Sequence, residues 1–204
     1  MRMLNSWLKK LQGGSTPDDR RTAGSGQQAS LSSLTALERE TLALVETLAS
    51  EDSPDVVAGL KRRGTTAARM LAMAMSGELP PGTRWGFVVN GMDDMALEPM
   101  WRLHDVLVAI GSEAAEYVRP LLENKRWQTR FMAIHTLGDL RDRQAVEAIA
   151  GMLLPPSFRM TSAAVDALGK IGDPRAIPYL ESVENQLQGY EREAVRAAIR
   201  ACRH

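Results

Sequence analysis

The sequence predicts an all-α fold, a short α-solenoid of stacked antiparallel helix pairs forming an α-α superhelix. Three observations carry this. From about residue 100 onward the chain compares with itself at an offset of 31 residues. Apolar residues in the body recur at spacings of three and four, the period of an amphipathic helix. Glycine, proline and capping residues fall between those stretches, where helices stop and restart.

The body opens near Leu34. Leu34, Leu37, Thr41, Leu44, Val45 and Leu48 trace one helical face. Ser33 or Thr35 is a plausible N-cap, with Glu38 three residues past Thr35 as a capping-box partner. Ser53-Pro54-Asp55 starts a second helix with proline in its first turn. Gly64-Thr65-Thr66 is expected to separate it from a third, Ala67 to Ser76. Pro80 and Pro81 then force a break. Trp85 to Val89 reads equally as a short strand or an irregular helical turn. Met75, Met92, Met95 and Met100 make the neighbourhood methionine-rich, either as gap-filling core or as a plastic contact surface.

The strongest internal match sets residues 131–142 over 162–173. Ala133 meets Ala164, Leu137 meets Leu168, Gly138 meets Gly169, Leu140 meets Ile171 and Asp142 meets Asp173. Ala145, Val146 and Ile149 continue over Ala176, Ile177 and Leu180, and a further step reaches Ala194, Val195, Ala198 and Ile199. A looser copy begins at Val106. The small residues let helices approach, and the leucines fill the seam. Gly138 and Gly169 are expected at helix ends, where the chain bends. Asp173-Pro174 restarts a helix as cap and first residue. One such hairpin cannot bury its apolar face alone, so copies must stack.

Residues 164–180, Ala-Val-Asp-Ala-Leu-Gly-Lys-Ile-Gly-Asp-Pro-Arg-Ala-Ile-Pro-Tyr-Leu, resemble the short HEAT-like repeat named after phycobilisome lyases. Ile134 to Ile149 resembles it less closely. The family's arginine before the alanine pair matches Arg130 and Arg192, while the middle copy has Thr161. The resemblance covers roughly residues 100–204, with 34–99 read as degenerate helical repeats around a methionine-rich insert. It implies a fold used by bilin-handling lyases, scaffolds and adaptors, and DNA-repair glycosylases, so it does not by itself imply an activity.

Ahead of the body, residues 12–33 are rich in Gly, Ser, Gln and charge and read as a flexible linker. They tether residues 1–11, where Met1, Leu4, Trp7, Leu8 and Leu11 share one helical face and Arg2, Lys9 and Lys10 lie off it. Such a segment suits an anionic membrane surface or a partner's groove. It is no secretory signal, because lysines stand where an apolar stretch should be.

Composition narrows the function classes. The chain has 204 residues, 44% hydrophobic and 25% charged, as in a soluble globular protein. Formal net charge is zero: residues 1–30 carry five basic and two acidic side chains, and the remainder 20 and 23. A folded body without basic excess makes nucleic acid an unlikely partner. A single cysteine, Cys202, excludes an internal disulfide and fits a reducing, cytoplasmic setting, with residues 1–11 offering peripheral membrane contact. Arg200 and Arg203 beside Cys202 are expected to lower its pKa somewhat, although a helix-end structural cysteine is the simpler reading.

No catalytic, cofactor-binding or metal-ligating residues are identified. His104, His135 and His204 stand in no ligand spacing, and no phosphate-binding, dinucleotide or nucleophile-elbow motif occurs. His135 is placed in a column with Asp166 and Arg196 and reads as a solvated helix edge. Trp127 and Phe158 occupy matching positions, with Tyr190 one residue off, a column expected to pack repeat on repeat. The reading that results is a non-enzymatic adaptor that binds another protein. Its candidate contacts are Trp7, the basic-aromatic cluster Lys125, Arg126, Trp127 and Arg130, and the second-helix positions Gln144, Glu147, Arg175, Glu181 and Glu184. The alternative, a lyase- or chaperone-like protein handling a chromophore or a modified protein, requires a ligand-sized cavity with a titratable group such as His104, His135 or Asp166 inside.

Overall fold

The computed structural model describes residues 34–50, 53–80, 82–85, 97–153 and 158–203. Among these every regular element is helical, and successive helix pairs pack side by side. Trp7 and the rest of residues 1–33 lie outside the described residues, as do Met92 and Met95.

Helix α1 (Ala36–Leu48) begins with the expected capping box. The Thr35 amide donates to Glu38 Oε2 at 2.8 Å, and the Glu38 amide donates back to Thr35 Oγ1 at 3.2 Å. Its core face is Thr41, Leu42, Val45 and Leu48. Leu37, expected on that face, is 50% exposed, because the stripe turns toward Leu42 rather than back through Leu37. Helix α2 (Pro54–Arg62) starts on its proline. Helix α3 (Gly64–Ser76) starts three residues earlier than expected: Gly64 at φ 48 makes the bend, and Thr65 and Thr66 already belong to the first turn. Gly77 at φ 79 ends it. Met75 and Met100 are fully buried, so these two methionines fill core. Arg84 and Trp85 are helical, and the buried Trp85 indole N–H donates to the Val45 carbonyl, pinning this segment to α1.

The C-terminal part alternates long first helices with short second ones. The first helices are α4 (Glu98–Ile110), α6 (Trp127–Asp139), α8 (Phe158–Ile171) and α10 (Gly189–Cys202). Between them lie α5 (Ala115–Val118), α7 (Val146–Ala150) and α9 (Ile177–Glu184), each entered through a 3₁₀ turn. α1 packs on α3, α3 on α4, α4 on α6, α6 on α8, and α8 on α10, so first helices form a continuous layer.

Gly138 and Gly169 hold that layer together by a different route from the one expected. Both lie in the last turn of their helices, as expected, but neither makes the bend. A Cβ at Gly138 would stand 2.8 Å from Cα and Cβ of Ala167, and one at Gly169 would stand 3.2 Å from the same atoms of Ala198. The glycines therefore let neighbouring helix backbones touch. The bends come three residues later, at Arg141 (φ 52) and Gly172 (φ 65). There the Arg141 and Asp142 amides return to the carbonyls of Gly138 and Leu137 at 3.0 Å each, a Schellman closure.

The turns into α7 and α9 are each entered through an aspartate cap. Asp142 Oδ1 accepts the Gln144 amide at 3.3 Å, and Asp173 Oδ1 accepts the Arg175 amide at 3.0 Å. Arginines add to these caps: Arg119, from the preceding repeat, holds Asp142 at 2.6 and 3.2 Å, and Arg175 holds Asp173 at 3.1 and 2.9 Å. Among the described residues no helix is long and apolar enough to cross a membrane.

Candidate functional site

The second-helix residues expected to face a partner form a ladder between repeats. Arg175 reaches Glu147 Oε1 at 2.8 Å and the Arg143 carbonyl at 2.8 Å, tying the pair of α9 to that of α7. Glu181 pairs with Arg203 at 3.3 Å, and Glu184 with Arg196 at 2.8 Å. Gln144 is exposed, its amide held by the Asp142 cap.

In the basic-aromatic cluster, the Arg130 guanidinium donates to the Asn124 and Lys125 carbonyls at 2.7 and 3.0 Å. It closes the loop ahead of α6. The Arg126 amide donates to Asn124 Oδ1 at 2.9 Å, and Lys125 remains exposed. Trp127 packs edge-on against Phe131, with ring centroids 6.2 Å apart, and carries the Arg159 guanidinium 5.4 Å from its ring centroid. The third aromatic, Tyr190, is 86% exposed and so does not pack repeat on repeat.

A groove of about 730 Å³ crosses α6, α8 and α10 on the exposed side of the first-helix layer. Its origin can be read from the repeat columns. Positions 31 residues apart run His104, His135, Asp166, Ala197, and one turn on Asp139, Lys170, Ala201. The large polar side chains of α6 and α8 thus give way to two exposed alanines on α10. Ala194 and Ala198 extend this low floor, Phe131 and Tyr190 wall one end, and Asp166 and Lys170 stand at the other.

This register corrects the expected column. The step from Asp166 lands on Ala197, and the neighbouring Arg196 turns away to Glu184 and Glu193 at 2.8 and 3.1 Å. His135 is not a solvated edge either. It is half-buried, 4.6 Å from the Phe131 ring and 5.3 Å from Trp101 between centroids. His104, missing from the expected column, is buried one repeat earlier, with Nδ1 3.0 Å from Thr136 Oγ1 and Nε2 3.3 Å from Asp139 Oδ2.

The charges beside the groove are coupled. Lys170 Nζ lies 2.7 Å from Asp139 and 2.9 Å from Asp166, linking α8 to α6. Burial works against its charge, but its bonds to Asp139 and Asp166 hold its pKa above the ordinary lysine value. Burial pushes both His104 and His135 below the usual histidine range, against the pull of Asp139 on the first and Asp166 on the second. Cys202 is fully buried, with Sγ 3.5 Å from the Leu168 carbonyl. Its thiol is raised by that burial, not lowered by the neighbouring arginines as expected. Among the described residues no cluster of three His, Cys, Asp or Glu side chains is placed to hold a metal ion.

The sequence reading missed Phe131, Arg159, Lys170, Ala197 and Ala201. The signal lay in how each column changes along the stack, above all its drop to alanine in the last helix.

Residues 115–200 match the family model for HEAT repeats, a match that does not single out the phycobilisome-lyase subtype. Among solved structures, the crystal structure of an engineered protein is similar at 14% identity with a TM-score of 0.40, covering 80% of this chain and 96% of that one. Comparison with curated proteins gave no match.

Proposed function

We propose that this chain, a HEAT-repeat scaffold over residues 115–200, is a non-enzymatic adaptor that takes a segment of a protein partner into the groove across α6, α8 and α10. The observation that carries this is the alanine floor. Ala194, Ala197 and Ala201 give a helix-sized trough in which an apolar ridge can lie, with aromatic rings at one end and charge at the other. The fitting partner segment is an amphipathic helix. Its apolar ridge meets the alanines, and its basic flank meets the carboxylates near Lys170.

The second-helix edge contributes less in this reading, because Glu147, Arg175 and Glu181 already pair within the stack. The chromophore-handling alternative draws one point of support: His135 and Asp166 both line the groove. It predicts an absorbance change on adding a linear tetrapyrrole.

Site-specific photo-crosslinking tests the adaptor reading. A benzophenone amino acid at position 197 should trap a discrete protein partner in the native host. The same group at position 144 should trap none. Capture only from 144, or from neither position, would remove the groove as the docking surface.

A further inference from the structure

We infer that the groove is also the seat of the chain's own residues 1–11, so that the protein covers its docking surface until a partner displaces them. This rests on the reading of the groove as a docking surface and names a specific occupant for it. Residues 1–11 have the chemistry of the partner segment described above: Met1, Leu4, Trp7, Leu8 and Leu11 on one face, Arg2, Lys9 and Lys10 beside it. As a helix they span roughly 16 Å, about the length of the groove along α8 from Arg159 to Lys170, eleven residues on.

Charge gives the direction. At the Lys170 end stand Asp139 of α6 and Asp166 of α8, with side chains 30% and 51% exposed. Lys170 bridges these two carboxylates, so the end keeps a net negative charge for Lys9 and Lys10 to meet. At the other end Phe131 and Tyr190 supply aromatic surface, and the cation there is Arg159. The segment's apolar N-terminal part belongs at that end.

Reach permits the contact. Four helix-to-helix steps separate α1 from α8, through α3, α4 and α6. At 8–10 Å each they span roughly 35 Å. A 22-residue Gly/Ser-rich linker, residues 12–33, has a root-mean-square span of roughly 26 Å and a limit of roughly 75 Å. Such a tether supplies an effective concentration of about a millimolar, at which a segment with an intrinsic Kd of ~100 μM is roughly 90% docked.

Amide NMR spectra of the full chain test this. The variant Leu4→Asp/Trp7→Asp/Leu8→Asp should shift the Gly169, Ala194, Ala197 and Ala201 amides and leave Gly59 and Gly151 unmoved. Adding a synthetic peptide of residues 1–11 should restore the original positions. A peptide carrying the three aspartates should not. Groove amides unchanged by the variant, or shifts confined to another surface, overturn the proposal. So does binding of the wild-type segment to anionic phosphatidylserine vesicles with the groove amides unmoved. None of these results bears on partner capture at position 197, so self-docking can fail while the adaptor reading stands.

Discussion

Gly138 on α6 and Ala167 on α8 meet backbone to backbone: a Cβ on the glycine would come within 2.8 Å of the alanine Cα. No rotamer change relieves such a contact, since the obstructing atoms belong to a helix backbone. Gly138→Ala gains about 1 kcal/mol of helix propensity but must push two helices apart, at a cost of about 1–3 kcal/mol. The expected outcome is net destabilisation with a lowered denaturation midpoint. At Gly169 the clearance from Ala198 is 3.2 Å, so Gly169→Ala should be close to neutral. Gly151 has open space around it, and Gly151→Ala should stabilise by about 0.4–1 kcal/mol. Urea denaturation of the three variants checks this order.

Arg141 and Gly172 occupy the same turn one repeat apart, both left-handed at φ 52 and 65. An arginine there carries a steric penalty of roughly 1–2 kcal/mol that glycine avoids, partly offset by glycine's freedom in the unfolded chain. Arg141→Gly should therefore raise the melting temperature slightly. Gly172→Ala should lower stability by about 1 kcal/mol or more, because its Cβ also meets the Ala201 carbonyl at 3.4 Å. Thermal melts followed by circular dichroism decide both.

Stability should fall with acid in two windows. His104 and His135 are held below the ordinary histidine value of 6.5, so the unfolded chain binds protons that the folded one resists. Their contribution is present above that value and is lost as pH falls below it. Asp173 is held down to about 2 from 3.8 by Arg175, so its contribution is kept through mild acid and lost between those values. His104→Gln should flatten the upper window and Asp173→Asn the lower one. Asp173→Ala should also cost about 1 kcal/mol at neutral pH as a lost cap. Chemical denaturation midpoints from pH 8 to 2 provide the check.

The stack was legible in the sequence because its seam residues repeat at 31: Leu137 and Leu168, Gly138 and Gly169, Asp142 and Asp173. These positions are buried, sit at close approaches or cap helices, and each must be refilled by a similar residue in every copy. The role of the glycines was misread because sequence spacing cannot separate a helix-end glycine from one facing another backbone. The groove was harder to see for the opposite reason. It exists where columns fail to repeat, with Asp166 and Lys170 replaced by Ala197 and Ala201. A column slipped by one residue put Arg196 in place of Ala197 and hid that change. The partners of His104 could not be read from local spacing, because Thr136 and Asp139 come from the next repeat, about 32–35 residues away along the chain.

The measurement that bears most directly on the groove is the affinity of a captured partner for two single variants. Ala197 is exposed, so Ala197→Arg fills the trough without entering the core. Glu147→Gln perturbs the second-helix edge instead, where Glu147 meets Arg175. The groove account predicts at least a tenfold rise in Kd for Ala197→Arg, about 1.4 kcal/mol, and little change for Glu147→Gln. An unchanged Kd at position 197 with a large loss at 147 would contradict it and move the interface to the second helices.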